Sequence, residues 1–510
     1  MSTSTITPFD SAHVERGADG IARYTNLADS VVAMLKASVE RVPDVEAVVE
    51  LGAGRLTYAE VWDRAGRVAG GLRDKGVQPG DRVAIRLPNG VDWVLAFFGT
   101  LLAGAVVVPV NTRFSESEVD YVVSDSGAAC VVRPDEPLPD GEPLVVDGLG
   151  HEDLAAIFYT SGTTGFPKGA MTSHANFLAS AENCLRVVSI DRDGEGSKTL
   201  ISVPLFHVTG CDNQLLLQVL RGGTSVIMPT FDVRAFLAAI RDEQIDLLTT
   251  VPAIYWLAIN QPEFAPDDMA SVRFLSYGGA PIAPELVNQI KRAFPNARVG
   301  NGYGLTETAA VATYLTDEYA TEHAESVGFA CPINDLTLDD IGGTGSGELL
   351  IRGQNVVLGY WKKPEASAAA FVDGWLHTGD IATIDAQGFI AIVDRAKDMI
   401  NRGGENVYCV EVENAMAMYP AVYETAVIGV PDDMMGEKVG AVVVPKPGQQ
   451  VEPAELVAFL REHLADFKVP EYVVVRAEPL PRNAGGKILK PPLREETQWG
   501  EPLRKRSARR

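Results

Sequence analysis

The segment Tyr159–Gly169, YTSGTTGFPKG, gathers Thr160, Ser161, Thr163 and Thr164 with Gly162, Gly165 and Gly169 and closes on Lys168. Hydroxyls, backbone N–H groups and one cation in a tight turn are what a polyphosphate needs, and glycine lets the backbone come close to it. An apolar run, Ala155–Phe158, precedes the turn and reads as a strand leading into it. The segment is not a Walker A loop, which requires Gly before the lysine and Ser or Thr after it. Here Pro167 precedes Lys168 and Gly169 follows, and Pro167 has no N–H to donate. A P-loop kinase is therefore disfavoured. Taken alone, the turn leaves phosphate binding and a plain surface linker both open.

Further segments carry chemistry of their own. They are Tyr277-Gly278-Gly279-Ala280-Pro281, Asn301-Gly302-Tyr303-Gly304-Leu305-Thr306-Glu307-Thr308 and Trp375-Leu376-His377-Thr378-Gly379-Asp380. Next come Asp394-Arg395-Ala396-Lys397-Asp398, Arg402-Gly403-Gly404-Glu405-Asn406 and Pro481-Arg482-Asn483-Ala484-Gly485-Gly486-Lys487-Ile488. Singly, Asp380 reads equally well as a turn residue after Gly379, and Glu307 as a helix N-terminal carboxylate beside Thr306. In this order and spacing, from about Leu27 to Leu493, the set resembles the adenylate-forming superfamily: acyl-CoA synthetases, peptide-synthetase adenylation domains and firefly luciferase.

The resemblance implies an ATP-dependent enzyme that joins a carboxylate to AMP and passes the acyl group to the thiol of coenzyme A. It implies that Thr160, Ser161, Gly162, Thr163, Thr164 and Lys168 close over the ATP phosphates. Gly279, Ala280 and Pro281 would lie beside the adenine, with Tyr303 on its other face. Thr306 would hold a phosphate oxygen and Glu307 would position Mg2+, a hard cation that takes a carboxylate together with substrate phosphates. Asp380 would accept from the ribose hydroxyls, supported by Arg395. Lys487, catalytic, would offset the repulsion between carboxylate and α-phosphate as they meet. The second half-reaction needs a route for a long thiol. The family's hinge position falls on Lys397, and Gly403 and Gly404, which project no side chain, would line the pantetheine tunnel.

The acid is less legible. Resemblance places its pocket near Leu205–Cys211, with Tyr255, Tyr277, Gly278 and Ala309 to Ala312 as walls and His207 beside the carboxylate. The tryptophan that gates the tunnel of some long-chain synthetases is absent, its place falling near Cys211, and Asp212 and Asn213 add polar groups that point either to the pocket or to solvent. A medium- or long-chain fatty acid is the first expectation, with aryl and alicyclic acids as the alternative, because Cys211, Ala309, Ala310 and Ala312 are small. An acyl-AMP ligase loading a carrier protein is the nearest rival, but no surplus segment of the kind such relatives carry is present. A luciferase-like oxygenase would share the fold and the first step, and a non-catalytic nucleotide-binding regulator would have no use for Lys168, Glu307, Asp380 and Lys487 together. Cys409 stands where relatives carry proline, which predicts a slightly freer turn.

The elements that must position these groups alternate helix and strand: helix Tyr58–Lys75, strand Arg82–Leu87, helix Val91–Ala103, strand Val106–Val108. That alternation predicts an α/β protein with a large N-terminal domain of layered α/β subdomains, residues 1–394, and a small mobile α+β C-terminal domain, residues 395–510, hinged near 395–397. A chain of 510 residues is too long for one ordinary core. The net charge of −24 opposes nucleic-acid binding, and the one basic cluster, Arg504 to Arg510, reads as a solvated tail. The apolar run Val94–Val110 is broken by Gly104 and Pro109, so no integral membrane segment is expected. The five cysteines form no CxxC pair and the N-terminus has no secretory pattern, which together predict a cytoplasmic protein. Whether it forms a homodimer is left open.

Overall fold

The computed structural model describes residues 7–160, 167–280, 282, 284–339, 345–395, 398–402, 405–432, 434–482 and 488–503, without the side chains of 395 and 406. Two units divide it. The larger comprises residues 1–337, 350–378 and 385–390, and the smaller 338–349, 379–384 and 391–510.

The backbone of the larger unit is a nine-stranded sheet. From one edge its strands are Phe329–Ala330, Ala310–Leu315, Arg298–Leu305, Phe274–Gly278, Leu247–Thr250, Lys198–Ile201, Thr224–Ile227, Glu46–Glu50 and Arg55–Thr57. The six strands from Arg298–Leu305 through Glu46–Glu50 run parallel, and antiparallel strands close both edges. A second sheet orders Ala128–Val132, Arg82–Ile85, Val106–Pro109, Leu154–Thr160 and Lys168–Ser173, parallel except for the final hairpin.

Between the two sheets lie the helices Val31–Arg41, Tyr58–Asp74 and Val91–Leu102. Trp93, Phe97 and Leu101 of the last share one core with Val48, Ile201 and Ile227 of the large sheet and with Val83, Ile85 and Phe158 of the second. From Trp93 to Leu102 this helix is buried on all sides and must be apolar all round, which is why the run Val94–Val110 begins so apolar in sequence. Burial of each such Leu or Phe side chain contributes about 1.5–3 kcal/mol relative to exposure. Helix Tyr58–Asp74 starts at a capping box: Thr57 accepts from the Glu60 N–H and the Glu60 carboxylate accepts from the Thr57 N–H. On the opposite face of the large sheet, helices Val233–Glu243, Pro252–Ile259 and Pro284–Ala293 cover a separate core that includes Leu200, Leu248, Leu275 and Tyr277.

The smaller unit is α+β. Its sheet contains Ile400–Arg402, Glu405–Val407, Val422–Asp432, Gly436–Pro445 and Tyr472–Val475. Alternation sends Val427, Val439, Ala441 and Val443 under helices Cys409–Ala417 and Pro453–Leu460, while Ala426, Ile428, Val442 and Val444 pack against Leu480 and Leu493. Among the described residues, no helix is long and apolar enough to cross a membrane.

Candidate functional site

Parallel strands end together, and ligands of open α/β sheets sit beyond those C-terminal ends. Here Ile201 leads into Ser202–His207, Gly278 into Gly279 and Ala280, and Leu305 into Thr306 and Glu307, all from one sheet. Gly278 faces Gly302 on the next strand, and a Cβ at Gly278 would stand 2.3 Å from the Gly302 carbonyl oxygen. Gly279 has φ +72°, which favours glycine, and a Cβ there would meet only Val251 Cγ1, at 3.9 Å. The result is exposed backbone at Gly279 and Ala280, bare of large side chains, with Tyr303 half-buried on the neighbouring strand. A flat, bare ledge of this kind suits an aromatic base.

Glu307 lies on the 3₁₀ turn Thr306–Thr308. Leu305 N–H donates to the Thr308 hydroxyl at 2.8 Å, and that hydroxyl in turn reaches the Ala310 carbonyl at 2.8 Å. Ala309 and Ala310 both take left-handed backbone, φ 45° and 90°, an arrangement that costs energy for residues with a Cβ and must be held from outside. Asn355, fully buried, does so: its Nδ2 donates to the Thr308 and Val311 carbonyls at 2.9 and 3.0 Å.

The hairpin Leu154–Thr160/Lys168–Ser173 pairs Thr160 with Lys168, fixing both ends of the proposed phosphate loop. Lys168 Nζ lies 4.2 Å from the ring centroid of Tyr360, and the Tyr360 hydroxyl donates to Glu307 Oε1 at 2.7 Å. The strap that bears Tyr360 is held by backbone bonds, from Val357 N–H to the Glu307 carbonyl at 3.0 Å and from Trp361 N–H to the Gly169 carbonyl at 2.8 Å. Sequence reasoning placed Lys168 and Glu307 in one site but passed over Tyr360. The aromatic pair after Gly359 was the available signal, and nothing in its spacing shows what it touches.

Among the described residues, no group of three or more His, Cys, Asp or Glu side chains could hold a metal ion. One carboxylate beside a phosphate loop is, however, the donor set Mg2+ accepts when substrate phosphates and water complete its octahedron, so Glu307 fits a nucleotide-borne Mg2+.

His207 precedes the short helix Val208–Gly210, which continues as the π-helix Cys211–Leu216. Gly210 is required there, since a Cβ would meet the Pro204 carbonyl oxygen at 2.5 Å. The imidazole retains some exposure as a whole, but Nε2 is sealed and has no partner. Burial, with a smaller contribution from the Arg113 charge, lowers its pKa to about 4, so the ring is neutral at pH 7. Asp212, which the sequence left free to face solvent, is fully buried; neither carboxylate oxygen has a partner, and burial pushes its pKa well above the usual carboxylate range. Ser202 Oγ, Thr250 Oγ1 and Tyr277 OH are likewise buried without partners. Thr250 and Tyr277 are register neighbours, and Ser202 lies two residues past Leu200, whose side chain shares the core of Leu248 and Leu275. Thr250 and Tyr277 thus stand side by side at the C-terminal ends of two adjacent strands, and Ser202 follows directly on the end of a third.

Within the smaller unit, Asp380 lies in the strand Trp375–Ile384 and is 3% exposed, directly after Gly379 at φ +71°. The freer turn expected at Cys409 is not what the structure has. Cys409 N–H donates to Asp394 Oδ2, a bond proline could not make, and its Sγ donates to the Asp398 carbonyl at 2.9 Å. Arg482 and Ile488 form an antiparallel bridge. Ser161, Gly162, Thr163, Thr164, Pro281, Lys397, Gly403, Gly404 and Lys487 lie outside the described residues, as does the side chain of Arg395.

Two outcomes are expected. Asn355→Leu strands two buried carbonyls and should cost about 2–5 kcal/mol, read as a lower urea midpoint, with weaker ATP binding. The His207 imidazole resonances should hold the neutral-ring shift from pH 8 down to pH 5.5. Because the folded pKa lies below the usual 6.5, the unfolded chain takes up this proton first, so the stability tied to His207 is whole above pH 6.5 and falls as pH drops towards 4. An imidazole that titrates near 6.5 in the folded protein would contradict the sealed environment.

The profile of the AMP-binding enzyme family matches residues 35–361, and that of the AMP-binding enzyme C-terminal domain matches residues 411–487. A feruloyl-CoA synthase of an Amycolatopsis species is 38% identical over 472 residues, covering 88% of this chain and 95% of the relative. A long-chain-fatty-acid–CoA ligase of Mycobacterium tuberculosis is 36% identical over 499 residues, covering 91% and 97%. Among solved structures, the o-succinylbenzoate CoA synthetase of Bacillus subtilis in complex with its acyl-adenylate intermediate superimposes with a TM-score of 0.84 at 29% identity, covering 92% of this chain and 99% of that one. The bare glycine ledge, the loop lysine and the single carboxylate gathered on one face of the larger unit are therefore those of a protein that belongs to the AMP-binding enzyme family.

Proposed function

We propose that this chain is an AMP-forming acid–CoA ligase. It joins a carboxylate oxygen to the α-phosphorus of ATP with release of pyrophosphate, then transfers the acyl carbon to the sulfur of coenzyme A with release of AMP. The observation that carries this reading is the placement of Gly278–Ala280, Tyr303 and Thr306–Glu307 at the C-terminal ends of adjacent parallel strands, with Lys168 reaching Glu307 through Tyr360.

In this reading Thr160, Ser161, Gly162, Thr163, Thr164 and Lys168 hold the phosphates, and Thr306 takes a phosphate oxygen. Glu307 holds Mg2+, which when bound neutralises phosphate charge. Gly279, Ala280 and Pro281 flank the adenine opposite Tyr303, and Asp380 with Arg395 receives the ribose. His207, neutral at pH 7, lines the approach of the carboxylate without adding a charge that would trap it. Lys487 offsets the charge that gathers as carboxylate meets phosphate, a preorganised effect worth about 3–4 kcal/mol in comparable sites. Residues 395–397 serve as the hinge between domains 1–394 and 395–510, and Gly403 and Gly404 border the path of the thiol. These roles rest on the sequence resemblance together with the family membership.

For the acid, the small residues of the expected pocket favour the aryl or alicyclic reading over a plain fatty acid. Small side chains at Cys211, Ala309, Ala310 and Ala312 admit a bulky or ring-bearing acid. The charge of −24 supports small-molecule partners without nucleic acid, and the five cysteines without a CxxC pair support a cytoplasmic location; a homodimer is a proposal that sedimentation decides.

Acids of varied chain length, ring content and oxygenation, assayed for pyrophosphate release with and without coenzyme A, test substrate and acceptor together. Ring-bearing acids should show the highest kcat/KM, and AMP release without an acyl-CoA product would point to a carrier protein instead. Lys487→Ala should slow acyl-adenylate formation by about a hundredfold or more yet spare thioester formation from supplied acyl-AMP. Lys397→Pro, which fixes one backbone dihedral, should impair thioester formation more than adenylation; equal losses would count against a hinge at that position.

A further inference from the structure

Lys168 and Glu307 pose an electrostatic problem. In a nucleotide-free cleft a lysine and a glutamate close together would pair with each other, and each would then have to be pulled free before it could bind a phosphate or a cation. In this structure they are joined through one side chain instead. Tyr360 offers its ring face to the Lys168 ammonium at 4.2 Å and its hydroxyl to Glu307 Oε1 at 2.7 Å. An aromatic face attracts a cation weakly enough to release it to a phosphate. A phenol bonded to one carboxylate oxygen aims the other, and among the described residues no hydrogen bond or ion pair engages Glu307 Oε2.

The tyrosine is well placed to hold both groups because it is itself immobilised. It is 6% exposed, its backbone pairs with Ala170 and its N–H donates to Ser367 Oγ at 2.9 Å. Its ring meets Phe371 edge-on at 5.7 Å. A phenol ordinarily titrates at about pH 10, so the hydroxyl is a donor throughout the working pH range. The same strap ties the phosphate-loop hairpin to the Glu307 turn through Trp361 and Val357.

We propose that Tyr360 is a positioning residue that keeps Lys168 and Glu307 apart, and Glu307 aimed, so that both are ready for the polyphosphate and its Mg2+. This rests on the functional reading above. It separates the two ligands by chemistry: the ring serves the lysine and hence the phosphates, while the hydroxyl serves the carboxylate and hence the metal.

Calorimetric titration of ATP into enzyme without acid, with chelator and then with Mg2+, reads the two contributions without turnover. Tyr360→Phe should bind ATP in chelator within about twofold of wild type yet lose about tenfold of the Mg2+-dependent gain, the size expected for a hydrogen bond to a charged group. Tyr360→Leu should weaken binding in both arms, by about threefold in chelator through loss of the cation contact. In the double variant Tyr360→Phe/Glu307→Gln, the Mg2+-dependent gain should be no smaller than in Glu307→Gln alone. Thermal melts identify any variant that fails to fold, and Tyr360→Phe, which preserves the ring packing, carries the decision if the leucine variant does. The inference is overturned if Tyr360→Phe binds Mg2+–ATP like wild type, or if it weakens both arms equally. A wild-type enzyme that binds no ATP in either arm would overturn the functional reading itself.

Discussion

The register of the parallel strands is the constraint on which the rest of the site depends. Leu247–Thr250, Phe274–Gly278 and Arg298–Leu305 pair in step, so Thr250, Tyr277 and Asn301 stand level and the chain emerges from each strand at one edge. A slip of one residue in such a sheet turns every side chain to the opposite face. It would take Leu248 and Leu275 out of their core and move the unpartnered hydroxyls of Thr250 and Tyr277 with them. Core packing and site geometry are therefore one condition, and the apolar side chains that enforce the register also fix where Gly278, Tyr303 and Glu307 lie.

Around that edge the structure keeps its charges few and its polar groups unspent. Asp212 is buried without a partner, His207 is held neutral, and Lys168 rests on an aromatic face. Unmet buried polar atoms are costly, and they persist where a bound molecule or water completes them. The π-helix Cys211–Leu216 belongs to the same pattern, since wide turns of this kind are frequent at functional sites and here one follows directly on His207. The left-handed pair Ala309–Ala310, held by Asn355, adds backbone strain beside the Glu307 turn. Stability has been given up locally, and the shared helical core between the two sheets offsets it.

Much of this was legible in the residues. The period of the apolar positions marked helices Tyr58–Asp74 and Val91–Leu102 to within a residue or two, because burial on one face or on all faces leaves a repeat that needs no tertiary knowledge. The glycines of Tyr277–Ala280 and Asn301–Gly304 marked close backbone approach for the same local reason. Three features escaped. Tyr360 acts through residues far away in the chain, Asp212 could be placed inside or outside only by packing, and the turn at Cys409 is tied by an Asp394 carboxylate that no local pattern announces.

By itself, then, the sequence determined which elements form, which loop offers hydroxyls and a lysine, and the order of the motifs that mark an AMP-binding enzyme. Those properties depend on neighbours within a few residues, or on residue identity alone. Only the tertiary structure decided that Lys168 and Glu307 share one tyrosine, that Ser202, Thr250 and Tyr277 are buried without partners, and that residues 338–349 and 379–384 belong with the smaller unit. Each of these joins segments separated by tens to hundreds of residues. The free energy that brings them together is that of the whole packed core, which no window of sequence contains.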